Sequence, residues 1–243
     1  MPEGSLSRVR SLVVALAALA ALTATGPTSG ATTACATNLA NRLRTVGAAD
    51  QLITVEAARY RTTSAALRLW ARGGDGCWRP VSGPWTARVG WNGLADRRRE
   101  GDGTTPTGVY SIGRTMYGNG RSPGVRYRYR RLVCGDWWNE DPRSPTYNTF
   151  QHVRCGTPPP FRTTTPGLWQ ERTAYRHFAV IEFNMRPVVP GRGSGIFLHA
   201  KTGSSTNGCV SLPVPQLVST LRWLDPAKRP RIVIGTRETF RRL

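Results

Sequence analysis

Residues 199–213 read HAKTGSSTNGCVSLP, a histidine ten positions ahead of a cysteine with small, turn-forming residues filling most of the gap. Upstream lies SGIFLHA (194–200), an apolar run with the length of a buried strand. Downstream, PQLVSTLRWL (215–224) places Leu217, Leu221 and Leu224 on one face of a helix. Pro213 and Pro215 suit the start of that helix and Asp225-Pro226 its end. The stretch therefore reads as a strand end, a tight Thr206-Asn207-Gly208 turn and a helix. His199 and Cys209 stand at the two ends of the loop.

Working outward, most of the chain has strand character. QLITVEA (51–57), AALRLWAR (65–72), CWRPVSG (77–83) and WTARVGWNG (85–93) are short alternating runs separated by Gly, Asp, Pro and Ser. VRYRYRRLV (125–133) alternates with one face all arginine, HFAVIEFNM (177–185) reads as another strand, and a last strand is expected over 230–237. Such spacing suggests antiparallel sheets rather than βαβ units. The segment ATNLANRLRTVGAADQ (36–51) has weak helical character and is read as a short terminal helix or a linker. One helix after the cysteine and a mainly β remainder make a single mixed domain.

The N-terminus carries a targeting pattern. Arg8 and Arg10 precede SLVVALAALAALTA (11–24), and small residues up to Ala34 offer a cleavage site. The apolar run is short of the roughly 20 residues that span a bilayer. A cleaved export signal over 1–34, a terminal segment over 35–50 and a catalytic-size domain over 51–243 are the expected organisation. No stable membrane insertion is expected after cleavage, and the mature chain is expected outside the cytoplasm, at the cell wall.

Outside the cytoplasm disulfides form, and five cysteines leave one thiol over. Cys134 and Cys155 bracket a turn-rich loop and are natural partners; Cys35 and Cys77 offer a second bridge, although spacing fixes neither pairing. On that arithmetic Cys209 stays free. The net charge is +20, with 32 arginines and lysines only at 201 and 228. The basic residues are scattered, and the one dense run, Arg97-Arg98-Arg99, reads as solvated surface. Exported, such a chain meets anionic wall polymers rather than nucleic acid.

A thiol attacks as its thiolate, and a free cysteine has a pKa of about 8.5. A histidine that takes the proton gives a thiolate–imidazolium pair. The amides of Gly208 and Cys209, placed near the helix entrance where N–H groups lack partners, would form an oxyanion hole. The plainer reading, two buried core side chains, is countered by the export pattern, the leftover thiol and the glycine directly before Cys209.

HAKTGSSTNGCVSL resembles the signature of the L,D-transpeptidase catalytic domain, in which a histidine precedes a Ser/Thr–x–Gly–Cys–apolar segment. EGDGTTPTGVYSIG (100–113) is similar to a second motif of that family, Asp/Gly–x–x–Thr–Pro–x–Gly. The resemblance runs over about 51–237. It implies a mixed β-sandwich or barrel-like fold and a cysteine acylated by a peptidoglycan stem tetrapeptide, with release of D-alanine. The acyl group then passes to a side-chain amine of a neighbouring stem, giving a 3→3 cross-link. Cys209 matches the nucleophile, His199 the base, Gly208 and Cys209 the oxyanion amides, and Thr206 the residue supporting the turn. Many relatives have a second histidine where Asn207 stands, and Arg or Asn where Ser211 stands, so substrate-binding roles at Asn207 and Ser211 are altered here. The usual arginine must be replaced by another.

Trp138 and Tyr147, in CGDWWNEDPRSPTYN, are expected to line the substrate groove. Asp136, Glu140, Asp141 and His152 lack ligand spacing, so no metal is expected, and the chemistry needs no cofactor. His177 is read as structural. Two other readings keep the same residues: a carboxypeptidase in which water replaces the acceptor amine, and a non-catalytic wall-binding domain with an inert Cys209.

Overall fold

The fold is taken from a computed structural model that describes residues 34–243. The expected export signal, with Arg8, Arg10 and the apolar run 11–24, lies outside them. Residues Cys35–Leu243 form one compact unit. Among the described residues no helix is long and apolar enough to cross a membrane.

The strands are β1 (Gln51–Ala57), β2 (Ser64–Arg72), β3 (Trp78–Arg88), β4 (Leu94–Ala95), β5 (Thr105–Pro106), β6 (Gly108–Gly118) and β7 (Arg128–Arg131). They continue with β8 (Asp136–Asn139), β9 (Thr149–His152), β10 (Phe178–Ile181), β11 (Phe197–Ala200), β12 (Val210–Leu212) and β13 (Arg231–Thr236). Eight of them pair in the order β10-β11-β12-β3-β2-β1-β13-β6, and a further β10–β6 pairing closes the ring into a barrel. The expected mainly β, barrel-like fold is what forms, as a mixed sheet: β1–β13 and β11–β12 are parallel, and the other ring pairs are antiparallel. β7 runs parallel to the far half of β6, and β8–β9 is a separate hairpin.

Two runs that looked like separate strands, 77–83 and 85–93, are one long β3. Its pairing with β2 shifts register around Leu69, so the Gly83-Pro84 punctuation marks irregularities within a strand rather than a turn between two. The helix after Cys209 is α1 (Val214–Trp223). Leu217, Leu221 and Leu224 are fully buried in the barrel core. A second, shorter helix, α2 (Arg237–Arg242), follows β13 where only a strand end was expected; the Thr236 side chain caps it by accepting from Thr239 N–H.

β1 is buried on both faces, which is why QLITVEA lacks clean alternation. Ile53 and Val55 point into the barrel; Leu52 points out. The outer layer over Leu52, Trp70, Trp78 and Val233 is built from Ala40, Leu43, Val46 and Ala49 of the terminal segment and Phe240 of α2. The segment 36–51 is thus packed coat rather than linker, with one short 3-10 turn at Ala40–Arg42. The Cys35–Cys77 disulfide staples it to the start of β3. A third apolar cluster covers the outside of β10 and β11, where Leu132, Trp138 and Leu168 pack on Phe178, Val180 and Phe197. This cover carries the second disulfide, Cys134–Cys155. Cys209 remains the free cysteine.

Candidate active site

Alternation along β11 sends Leu198 and Ala200 into the barrel core and leaves Phe197 on the outer cluster, with His199 on the same side by the period of two. Parallel pairing of β11 with β12 sets His199 opposite Ser211, and Cys209 stands one residue before β12. His199 and Cys209 both line one cleft of about 1020 Å³. Its walls come from segment 98–103, the cover over 138–175 and the loop 202–207.

Each side chain is tied in place. The Cys209 thiol donates to the Gly195 carbonyl at 3.3 Å and accepts from the Phe197 N–H at 3.4 Å. His199 Nδ1 lies 2.8 Å from the Ala200 carbonyl. Since a carbonyl only accepts, Nδ1 carries the proton and Nε2 is left as the basic nitrogen. Tyr175 packs edge-on to the imidazole, centroids 5.7 Å apart.

The turn before Cys209 is held by Thr206. Its hydroxyl donates to the Cys209 carbonyl at 2.7 Å and accepts from the Gly208 N–H at 3.1 Å. Its backbone joins the end of β3 through Thr206 N–H to Val89 O and Trp91 N–H to Thr206 O. Thr105 reinforces the same point, donating to the Cys209 carbonyl and accepting from the Gly90 N–H. Gly208 has φ +131°, and a Cβ there would fall 2.4 Å from Arg98 Nη1 and 2.8 Å from the Thr104 carbonyl. Only glycine fits.

The oxyanion expectation changes in two respects. The three residues of β12 separate Cys209 from α1, so no helix entrance supplies free amides. Thr206 also takes up the Gly208 N–H, leaving the Cys209 N–H as the donor of that pair.

Charges differ from the expected ion pair as well. Burial pushes the Cys209 thiol up to about 12 and drops the His199 imidazole to about 4, because a dry site penalises whichever form is charged. At rest both groups are neutral. Arg98 lowers the thiol and Glu140 raises it, so these two charges are the ones Cys209 feels.

Arg98 departs furthest from its sequence reading. The run 97–99 looked solvated, yet the Arg98 side chain is 3% exposed. Its Nε and Nη1 have no hydrogen-bond partner. The nearest carboxylate, Asp102, is 3.8 Å away and already accepts from the Thr104 N–H and hydroxyl and the Arg99 N–H. Glu140, weighed from sequence only as a metal ligand and set aside, also lines the cleft. It accepts from the Thr165 hydroxyl at 2.9 Å, and burial raises its carboxyl to about 7.

Of the remaining expected site residues, Asn207 and Trp138 line the cleft. Trp138 is anchored by donating Nε1–H to Asn148 Oδ1 and by edge contact with Phe197. Tyr147 and Ser211 do not line it. Tyr147 is 2% exposed beneath the wall, where its hydroxyl donates to Glu100 and accepts from the Gly193 N–H. Ser211 is buried as the central residue of β12, paired with both His199 and Arg88. Asp136 and His152, weighed above as metal ligands, are joined by a hydrogen bond of 2.7 Å, with Arg130 3.0 Å from the same carboxylate oxygen. His177 Nδ1 hydrogen-bonds the Tyr129 hydroxyl at 2.9 Å, remote from the cleft lining.

A family model for the L,D-transpeptidase catalytic domain (YkuD) matches residues 60–234, a span that contains β11, the Cys209 turn and the Thr105–Gly108 segment. The chain belongs to this family. No curated protein and no solved structure gave a match. As an L,D-transpeptidase-type domain it is a cell-wall enzyme by family, acting on peptidoglycan. Sequence reasoning about this domain missed Arg98, Glu140, Thr105 and Tyr175. For Arg98 a signal was present: the arginine run abuts the Gly-Asp-Gly-Thr-Thr-Pro motif, so it enters the site with it. Tyr175 and Glu140 carried no such local mark.

Proposed function

We propose that this chain is an exported cysteine acyltransferase that forms 3→3 peptidoglycan cross-links through an acyl-enzyme at Cys209, with His199 as general base. The observation that carries the reading is the shared cleft: a free thiol and an imidazole whose proton is committed to the Ala200 carbonyl both open onto it. The two disulfides support an oxidising compartment. The net charge of +20 supports retention on anionic wall polymers.

In the acylation step Sγ attacks the carbonyl of the last peptide bond of a stem tetrapeptide. The thiol proton leaves its contact with Gly195 O for His199 Nε2, and the Cys209 N–H supports the developing oxyanion. Collapse breaks the C–N bond; the imidazolium returns its proton to the leaving amine, and D-alanine departs. A side-chain amine of a neighbouring stem then attacks the thioester, giving its proton to Nε2, and Sγ leaves with a proton from His199. Neutral resting groups fit this sequence: charge appears only once a donor has displaced water and stands ready to receive it.

Intact mass after exposure to a carbapenem-type β-lactam tests the nucleophile. An adduct is expected on the native chain and none on Cys209→Ala; an adduct that survives the substitution defeats the assignment. Incubation with purified muropeptides then separates outcomes. Dimers indicate transfer, shortened monomers alone indicate hydrolysis, and salt-sensitive wall binding with neither product indicates a binding domain.

A further inference from the structure

Glu140 is the carboxylate whose charge the Cys209 thiol feels, and the two groups meet across Gly195. A Cβ placed on Gly195 would fall 2.4 Å from Glu140 Oε1, and the carbonyl of the same glycine holds the thiol at 3.3 Å. Gly195 has φ +60°, and its missing side chain is what lets the carboxyl come this close. Two other carboxylates of the cleft lining are committed to its walls. Glu100 accepts from the Tyr147 and Ser194 hydroxyls, and Asp141 from the Arg143 and Arg162 N–H groups. Glu140 takes one hydrogen bond, from Thr165 at Oε2, and no ion pair among the described residues includes it. Oε1 is left over, on the side of Gly195 and the cleft.

A carboxylate withdrawn from water calls for a cation or a proton. Burial raises the Glu140 carboxyl to about 7 against the pull of the Thr165 hydrogen bond; Glu100 adds to the rise and Arg98 opposes it. Cys209 and Tyr175, the other titrating groups that feel Glu140, are held protonated by burial. A group so placed gains and loses a proton easily at neutral pH.

The cation that belongs there follows from the chemistry of transfer. Once the donor has acylated Cys209, the carbon on Sγ must be reached by an alkyl amine, which in water is an ammonium with a pKa of about 10. It is the one substrate cation that the reaction itself brings within bonding distance of that carbon. On its way from ammonium to amide the nitrogen sheds two protons. His199 can take one and pass it to Sγ; the Cys-His pair has no place for the other.

We propose that Glu140 binds the acceptor's ammonium beside the thioester and takes the first of these two protons. The inference rests on the acyl-transfer reading above and deepens it, by naming what favours an amine over water as acceptor. The carboxylate becomes the acid and the freed amine attacks. The C–N bond forms as the C–S bond breaks, the second proton passes through His199 Nε2 to Sγ, and the Glu140 carboxyl returns its proton to water.

The experiment starts from the acyl-enzyme, which isolates transfer from donor attack. Protein acylated by a stem tetrapeptide, with D-alanine release as the marker, is offered increasing amounts of a stem tripeptide bearing a free side-chain amine. The tripeptide has no fourth residue to release and serves as acceptor alone. Mass spectrometry measures dimer against hydrolysed donor. Glu140→Gln is expected to lower the dimer-to-hydrolysis ratio about ten- to a hundredfold, the worth of a charge-assisted contact, and to raise the acceptor KM while hydrolysis continues. Glu140→Asp should keep part of the ratio. A ratio unchanged by Glu140→Gln overturns the proposal. If Glu140→Gln instead slows acylation as much as acetylating the donor's own side-chain amine does, and leaves the ratio alone, the carboxylate holds the donor and the proposal falls. Thermal melts and the carbapenem adduct accompany each variant; should Glu140→Gln fail to fold, Glu140→Asp carries the test, and an undiminished ratio there overturns the contact. A native chain that forms no acyl-enzyme sinks the transferase reading and the proposal with it, whereas an acyl-enzyme whose partition ignores Glu140 sinks the proposal alone.

Discussion

Cys209, the proposed nucleophile, is held as a neutral thiol. With its thiol at about 12 at rest, alkylation by iodoacetamide in non-reduced protein should be slow at neutral pH. It should climb about tenfold per pH unit between 7 and 10 without levelling off. A plateau near pH 7 would mean that a thiolate already exists there. His199→Gln should lower kcat/KM by about 10²- to 10⁴-fold, the ordinary worth of a general base, while the carbapenem adduct still forms slowly. Gly208→Ala combines an unfavourable φ with a clash against a carbonyl, and is expected to cost about 1–3 kcal/mol of stability along with activity. The candidate pair was legible because a turn rich in small residues between a strand and a helix leaves a local signature. Arg98 was marked only by its place beside the Gly-Asp-Gly-Thr-Thr-Pro motif and Glu140 by nothing, since a charged side chain does not itself say that the chain will fold over it.

The same division appears among the elements. β1, β2 and α1 could be read because each is periodic or continuously apolar against one core. β3 was split in two by its glycine and proline, and the eleven residues of β6 were veiled by Gly113 and by a half-buried start, Gly108 to Ser111, that does not alternate. Register with neighbours, not propensity, makes them strands. The disulfides divide by element too. Cys134–Cys155 holds the β8–β9 hairpin that walls the cleft, whereas Cys35–Cys77 holds the outer coat on the opposite cluster. Replacing the first pair by serines should raise KM for a stem-peptide donor. Replacing the second should lower Tm, by the equivalent of about 2–4 kcal/mol for a loop of that size, with steady-state kinetics little changed. Equal kinetic damage from both would contradict this separation.

For the molecule as a whole, two buried groups make opposite demands on pH. His199 falls to about 4 from 6.5, so between those values the unfolded chain binds a proton the native one refuses, and stability drops as pH falls. Glu140 rises to about 7 from 4.5, so the native state keeps a proton the unfolded chain releases, and stability drops as pH rises. Each amounts to about 3 kcal/mol over its window. Their windows overlap from 4.5 to 6.5, where the slopes oppose; His177, also lowered by burial, adds to the His199 side, so the native protein should lose Tm only gently as pH falls through that range. Glu140→Gln should expose a stability that climbs from pH 4 to 6.5, and His199→Gln one that declines from 4.5 to 7. Identical profiles in all three proteins would refute the compensation. The ring closed by β10 and β6 has a consequence of another kind. The strands that carry the site, β11 and β12, have a neighbour on each side, so an extended peptide has no vacant margin there to zip onto and a donor is gripped by its ends and charges. Methylating the donor's amide nitrogens should therefore matter far less than masking its ionic groups, and stems of irregular stereochemistry or linkage become as readable as ordinary ones.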